Sequence, residues 1–197
     1  MKFQSINPYN GEKIQEYNRH SDEEVKAILE KSDKAFQDWK ETSFEERADL
    51  MTRISEILLE DTDRFAKTIT LEMGKPIKEA KAEVEKCAWV CDFYAENAEE
   101  FLADSIIETD AEESFISYDP LGCVLAIMPW NYPFWQVFRF AAPNLMAGNT
   151  GVLKHASNVF GSALLLQEIF EEAGFPDGVF QNLFIDHEQT EKVIENE

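Results

Sequence analysis

The residues best suited to chemistry lie in Pro129-Trp130-Asn131-Tyr132-Pro133, directly after the apolar run Cys123-Val124-Leu125-Ala126-Ile127-Met128. A run of that length and composition reads as a strand buried on both faces, as in a parallel sheet. Open α/β sheets bind ligands beyond the carboxyl ends of their strands, so Asn131 arrives where a ligand would lie. Its neutral amide can donate hydrogen bonds without adding a titrating charge; the competing reading is a turn residue capping the next helix. Tyr132, Gln136 and Arg139 are spaced i, i+4, i+7 and share one face of the helix expected from about Pro133 to Ala147. Arg139 stands among Val137, Phe138, Phe140, Ala141 and Ala142, where an unpaired cation is costly. A ligand carboxylate could satisfy it through bidentate hydrogen bonds, and so could one of the chain's own acidic side chains. Lys154 closes a second strand, Gly151-Val152-Leu153-Lys154, where its ammonium can either donate to a ligand or stay solvated.

The elements that must position these residues follow in the order β-α-β-α-β-α. After the strand at 123–128 and its helix come the strand ending at Lys154, a helix from about Gly161 to Ala173, and an apolar strand from Gly178 to Ile185. An acidic segment from Asp186 to Glu197 comes last. The fold class is α/β, and this is the first half of a doubly wound, Rossmann-like parallel sheet. Three parallel strands leave the inner edge open, so the chain is expected to be incomplete. Residues 1–105 read as mainly helical. Ser21-Asp22-Glu23-Glu24 opens a helix with the stripe Val25, Ile28, Leu29, Ala35, Phe36 and Trp39. Ser43 starts a second, whose stripe runs through Leu50, Ile54, Leu58 and Phe65 to Leu71. Gly74 stops it, and Pro76 suits the first turn of a third. The segment 112–122 reads as a short strand and a Pro/Gly turn.

Composition narrows the function classes. Apolar residues make up 44% of the 197, enough for a packed core. Asp and Glu number 39 against 18 Lys and Arg, and the net charge of −21 repels nucleic-acid backbones and anionic membrane surfaces. No metal site is expected, because Cys87 and Cys91 have no His near them in sequence. Cys87, Cys91 and Cys123 are too few for a disulfide scaffold and read as buried thiols of a reducing compartment. The opening residues lack the apolar core of a signal peptide, and no run is long enough to span a membrane, so a cytoplasmic location is expected.

Five blocks resemble the NAD(P)-dependent aldehyde dehydrogenases in order and spacing, most closely the succinate-semialdehyde branch. They are Asn7-Pro8-Tyr9-Asn10-Gly11-Glu12, Leu71-Glu72-Met73-Gly74-Lys75-Pro76, Pro129 through Gln136, Gly151-Val152-Leu153-Lys154, and Glu172-Ala173-Gly174-Phe175-Pro176. The resemblance implies that Asn131 donates to the oxyanion formed when a thiolate attacks the aldehyde. It implies that Ile127, Met128, Pro129 and Trp130 wall the nicotinamide end of the cofactor site and that Lys154 contacts the adenosine ribose. Three residues beyond Lys154, NAD-preferring members often carry a Glu that pairs with the ribose 2′-hydroxyl. Ser157 stands there instead, so NADP is favoured slightly over NAD. Succinate-semialdehyde dehydrogenases place a substrate-binding Arg eight residues after the oxyanion Asn, and Arg139 matches that offset beside Tyr132 and Gln136. The implied substrate is a small aldehyde bearing a carboxylate, and 112–122 corresponds to the strands through which members form homo-oligomers.

Three blocks of the family are missing from this sequence: the glycine motif under the pyrophosphate, the Glu-Leu-Gly-Gly segment with the general base, and the Gly-Gln-x-Cys segment with the nucleophile. The expectation is an N-terminal portion of such an enzyme, lacking the thiol catalytic domain and inactive alone. The alternative is a non-catalytic interaction module that pairs with a full-length relative.

Overall fold

A computed structural model describes residues 2–196. Met1 and Glu197, the outer limits of the expected organisation and the end of its acidic segment, lie outside them. The chain opens not on a helix but on an antiparallel hairpin, β1 (Lys2–Ile6) and β2 (Lys13–Asn18), turned at Gly11. Within 1–105 the helices run from Asp22 to Phe101, and this hairpin, which the sequence reading did not anticipate, precedes them. The strands are polar and mostly exposed, so they carry little hydrophobic pattern; Ser5 and Tyr17 are their buried residues.

Four helices follow: α1 (Asp22–Trp39), α2 (Phe44–Glu60), α3 (Thr62–Met73) and α4 (Ile77–Phe101). Ser21 with Glu24 and Ser43 with Glu46 form complete capping boxes on α1 and α2, satisfying amides that the first turns leave free. The single helix expected to reach Leu71 is broken at Asp61. There the Thr62 hydroxyl donates to the Leu58 carbonyl at 2.8 Å, a local bond that competes with the helical ladder. The apolar stripe survives the break, since Ile54, Leu58, Phe65 and Ile69 are all buried. Gly74 ends α3 with a φ of 78°, a left-handed conformation that favours glycine.

Two-residue strands β3 (Ser105–Ile106) and β4 (Phe115–Ile116) pair antiparallel and are exposed, Ile106 by 84%. Of the 112–122 strand expectation, only Phe115–Ile116 is strand. Beyond them β5 (Cys123–Met128), β6 (Thr150–His155) and β7 (Phe180–Asn182) form a parallel sheet in the order β5-β6-β7. Helices α5 (Trp135–Met146) and α6 (Phe160–Glu172) connect them, and α7 (His187–Ile194) follows. Side chains alternate along β6 between two layers. Leu153 joins the main core with α2 to α6, whereas Val152 joins Val25 of α1 and Val193 of α7 on the other face. The strand buried on both faces is therefore β6. β5 is an edge strand with Ile127 51% exposed, which corrects the sequence reading of that run. Strand order, a tertiary property, decides which apolar run is central.

Candidate functional site

The carboxyl ends of β5 and β6 lie side by side, with Ile127 opposite Lys154 and Met128 opposite His155. The Ala156 amide donates to the Met128 carbonyl at 3.0 Å and extends the pairing past the strands. Two connections leave this edge: Pro129 to Phe134 into α5, and the 3-10 turn Ser157–Val159 into α6. Every site residue expected from the sequence falls on these strand ends, on the two connections that leave them, or on α5.

Asn131 is exposed, and its side chain has no hydrogen-bond partner among the described residues. Phe134, not Asn131, is the N-cap of α5, and no side chain of the turn caps that helix. This removes the helix-cap reading of Asn131. Trp130 and Tyr132 are about half exposed, and Pro129 is exposed. Ile127 is not core, whereas Met128 is partly buried and packs against the main core.

Tyr132 precedes α5, which begins at Trp135, yet the Gln136 amide donates to its carbonyl at 3.1 Å. The helical spacing of Tyr132, Gln136 and Arg139 is thus kept. Arg139 is exposed, which corrects the expectation of a costly cation in an apolar run. The buried stripe of α5 is Val137, Phe138, Ala141, Ala142 and Leu145, and position 139 falls outside it. No ion pair engages Arg139 among the described residues, so the structural-pair alternative has no partner here either. On the neighbouring strand Lys154 is partly buried without an ion-pair partner among the described residues, and burial pushes its ammonium below the usual lysine range. Ser157 is exposed in the turn beyond it.

The Asn131 turn is clamped from three sides. His155 is buried; its Nδ1 accepts from the Ala156 amide at 2.9 Å, so Nε2 carries the proton and donates to the Pro133 carbonyl at 2.9 Å. Glu83 of α4 accepts from the Phe134 and Trp135 amides at 2.9 and 3.0 Å. The same carboxylate is ion-paired with Lys75, whose ammonium lies 3.7 Å from the centroid of the Tyr132 ring. Side-chain exposure is 7% for Lys75 and 1% for Glu83. Losing either partner alone leaves a buried charge, at a cost of about 3–5 kcal/mol. A second buried carboxylate, Glu72, accepts from the Gly161 and Ser162 amides at 2.8 and 2.7 Å and so holds the start of α6 beside Ser157. Glu72 and Lys75 lie in one of the five resemblance blocks with no role expected for either, and Glu83 lies in none of them. The available signal was Glu83's place beside Ala80, Val84 and Cys87 on the buried stripe of α4.

Burial of His155 has a measurable consequence. Desolvation lowers its pKa from 6.5 to about 4 despite the Pro133 hydrogen bond. Between those values the unfolded chain binds a proton that the folded chain does not. The contribution is complete above the unfolded pKa and is lost as pH falls towards the folded one. From pH 7 to 5 the chain should lose about 2 kcal/mol that a His155→Gln variant does not lose, read by denaturant unfolding at each pH. Parallel profiles for the two would remove His155 as the source.

Neither Cys87 nor Cys91 is an activated thiol. Cys87 and Cys91 are fully buried and desolvation pushes both well above the ordinary thiol range; Cys123 is partly buried with its Sγ 3.3 Å from Ser32 Oγ. Among the described residues no cluster of His, Cys, Asp or Glu could hold a metal ion, and no helix is long and apolar enough to cross a membrane. A cleft of about 680 Å3 lies between α1, α7 and the start of β5, and none of the expected site residues lines it.

A parallel half-sheet with its exposed polar groups at the carboxyl ends is an incomplete Rossmann-like fold. The chain belongs to the aldehyde dehydrogenase family, whose model matches residues 1–197. It is 54% identical over 185 residues to a probable succinate-semialdehyde dehydrogenase (NADP+) of Synechocystis sp., covering 94% of this chain and 41% of that protein. It is 44% identical over 198 residues to the succinate-semialdehyde dehydrogenase (NADP+) of Mycobacterium avium, covering 98% and 42%. The crystal structure of succinic semialdehyde dehydrogenase from Streptococcus pyogenes in complex with NADP+ superimposes with a TM-score of 0.96 at 36% identity, covering 99% of this chain and 43% of that one. The chain thus spans about two fifths of the length of these relatives.

Proposed function

We propose that this chain supplies the oxyanion and adenosine-side half of a succinate-semialdehyde dehydrogenase that uses NADP or NAD, with a lean to NADP. The observation that carries the reading is the pairing of two strand ends, one leading to the amide of Asn131 and the other bearing the ammonium of Lys154, both without a partner among the described residues. A dinucleotide, when bound, supplies the two-electron acceptor for aldehyde oxidation. Lys154 fits its ribose hydroxyls, because a partly buried ammonium without a counter-ion gains from oxygen acceptors. Ile127, Met128, Pro129 and Trp130 form the apolar margin between this contact and Asn131, with Ile127 and Trp130 half exposed. Asn131 donates to the substrate oxygen as it becomes negative, and Tyr132, Gln136 and Arg139 receive the substrate's carboxylate end.

The nucleophile and general base come from residues outside this chain, so the 197 residues alone do not oxidise aldehydes. The raised thiol pKa values of Cys87 and Cys91 support that reading. Three free thiols fit a reducing, cytoplasmic setting, and the exposed β3–β4 ribbon supports a homo-oligomer of the whole enzyme. The test is a full-length chimera in which these 197 residues replace the matching segment of the Synechocystis relative. It should reduce NADP+ with succinate semialdehyde, whereas the chain alone should not; a chimera that folds but stays inactive would overturn the reading. Ser157→Glu in that chimera should raise KM for NADP+ roughly ten-fold or more through repulsion of the 2′-phosphate, and spare NAD+. Equal changes for both cofactors would remove Ser157 from cofactor choice.

A further inference from the structure

The clamp around the Asn131 turn has no counterpart in the roles assigned above. Asn131 has no hydrogen bond of its own among the described residues, and the turn that carries it leaves the tip of an edge strand. An exposed turn of this kind samples many backbone states unless groups outside it fix it. An oxyanion donor is effective only when aimed before charge develops, because a donor that must reorganise loses its advantage. The aim is fixed from α4. Glu83 binds both amides that open α5, immediately after the turn, and through Lys75 it places an ammonium against the face of Tyr132, the residue next to Asn131. His155 fixes the carbonyl of Pro133 between them.

Burial of the pair argues that its value lies in geometry. A buried ion pair is often no more stabilising than apolar residues of similar volume, so stability alone gives little reason for one at this place. From these contacts we infer that Lys75 and Glu83 are positioning residues for the Asn131 donor, holding its turn in one conformation from α4. The inference rests on the oxyanion reading of Asn131. It extends that reading to two buried side chains outside the proposed substrate and cofactor contacts.

The test uses the full-length chimera. In Lys75→Met/Glu83→Leu both charges go together, so neither is left buried alone. It should keep its fold and its KM for NADP+ within about two-fold, while kcat falls roughly ten-fold. Lys75→Met/Glu83→Gln keeps an acceptor for the two amides and should recover to within about three-fold of the parent. Added to Asn131→Ala, the Leu pair should cost less than about two-fold more, since a missing donor cannot be misaimed. Full turnover in the Leu pair would overturn the inference, and so would an equal loss with and without Asn131 when Asn131→Ala itself is costly. A harmless Asn131→Ala would instead sink the oxyanion reading, and the positioning role with it. If the Leu pair does not fold, Glu83→Asp, which retracts the carboxylate by one methylene, is carried through the same cycle and judged by the same outcomes.

Discussion

Asn131→Ala should lower kcat of the full-length chimera roughly 10²–10³-fold and leave KM for the cofactor nearly unchanged. That range is the usual cost of one oxyanion donor, about 2.7–4 kcal/mol of transition-state stabilisation. The size follows from what the amide faces at each stage. In the resting site Asn131 meets solvent and no side-chain partner, so its removal disturbs no packing and no cap. On the proposed reading, the same amide would act as a fixed dipole towards the carbonyl oxygen as it acquires charge. An interaction made mainly in the transition state appears in kcat rather than in cofactor binding. Thermal unfolding of the variant should stay within about 0.5 kcal/mol of the parent, as for other surface positions. Unchanged turnover would refute the assignment. A fall in turnover matched by a large loss of stability would turn Asn131 back into a structural residue.

Much of the architecture was readable because it is written locally. Capping boxes announce α1 and α2, Gly74 announces the end of α3, and the apolar runs at 123–128 and 151–154 announce adjacent parallel strands. What escaped depends on partners distant in sequence. Glu83 binds amides 51 and 52 residues away, and Glu72 binds amides 89 and 90 away. A single sequence without known contacts presents both simply as charged residues in amphipathic helices. The N-terminal hairpin escaped because its strands are largely exposed and so lack an alternating apolar face. Arg139 was misread for a different reason. Its neighbours are all apolar, and counting neighbours hid the helical phase, which places 137, 138, 141, 142 and 145 inward and 139 outward. The candidate site residues came from the resemblance and the strand-end rule; in the structure Ile127, Met128 and Lys154 lie at neighbouring strand ends, and the others follow on the connections and on α5.

That outward placement makes Arg139→Ala the decisive variant for substrate choice. In the chimera it should raise KM for succinate semialdehyde roughly 100-fold and change KM for an uncharged aldehyde of similar length by no more than about two-fold. The first figure corresponds to about 2.7 kcal/mol, within reach of a charge-assisted bidentate contact in an enclosed site. The second follows because an uncharged chain offers the guanidinium no anion. Exposure decides how the result is read. An Arg–carboxylate pair open to water contributes about 0–1 kcal/mol, a change of less than roughly five-fold. A large, substrate-selective effect therefore requires that Arg139, exposed on this chain, be enclosed in the complete enzyme with the substrate's carboxylate as its partner. Arg139→Lys sharpens the distinction, since Lys keeps the charge and loses the fork, so it should restore only part of the affinity. Equal effects on both aldehydes would take Arg139 out of the carboxylate role, because a general disturbance of α5 cannot tell one substrate end from the other.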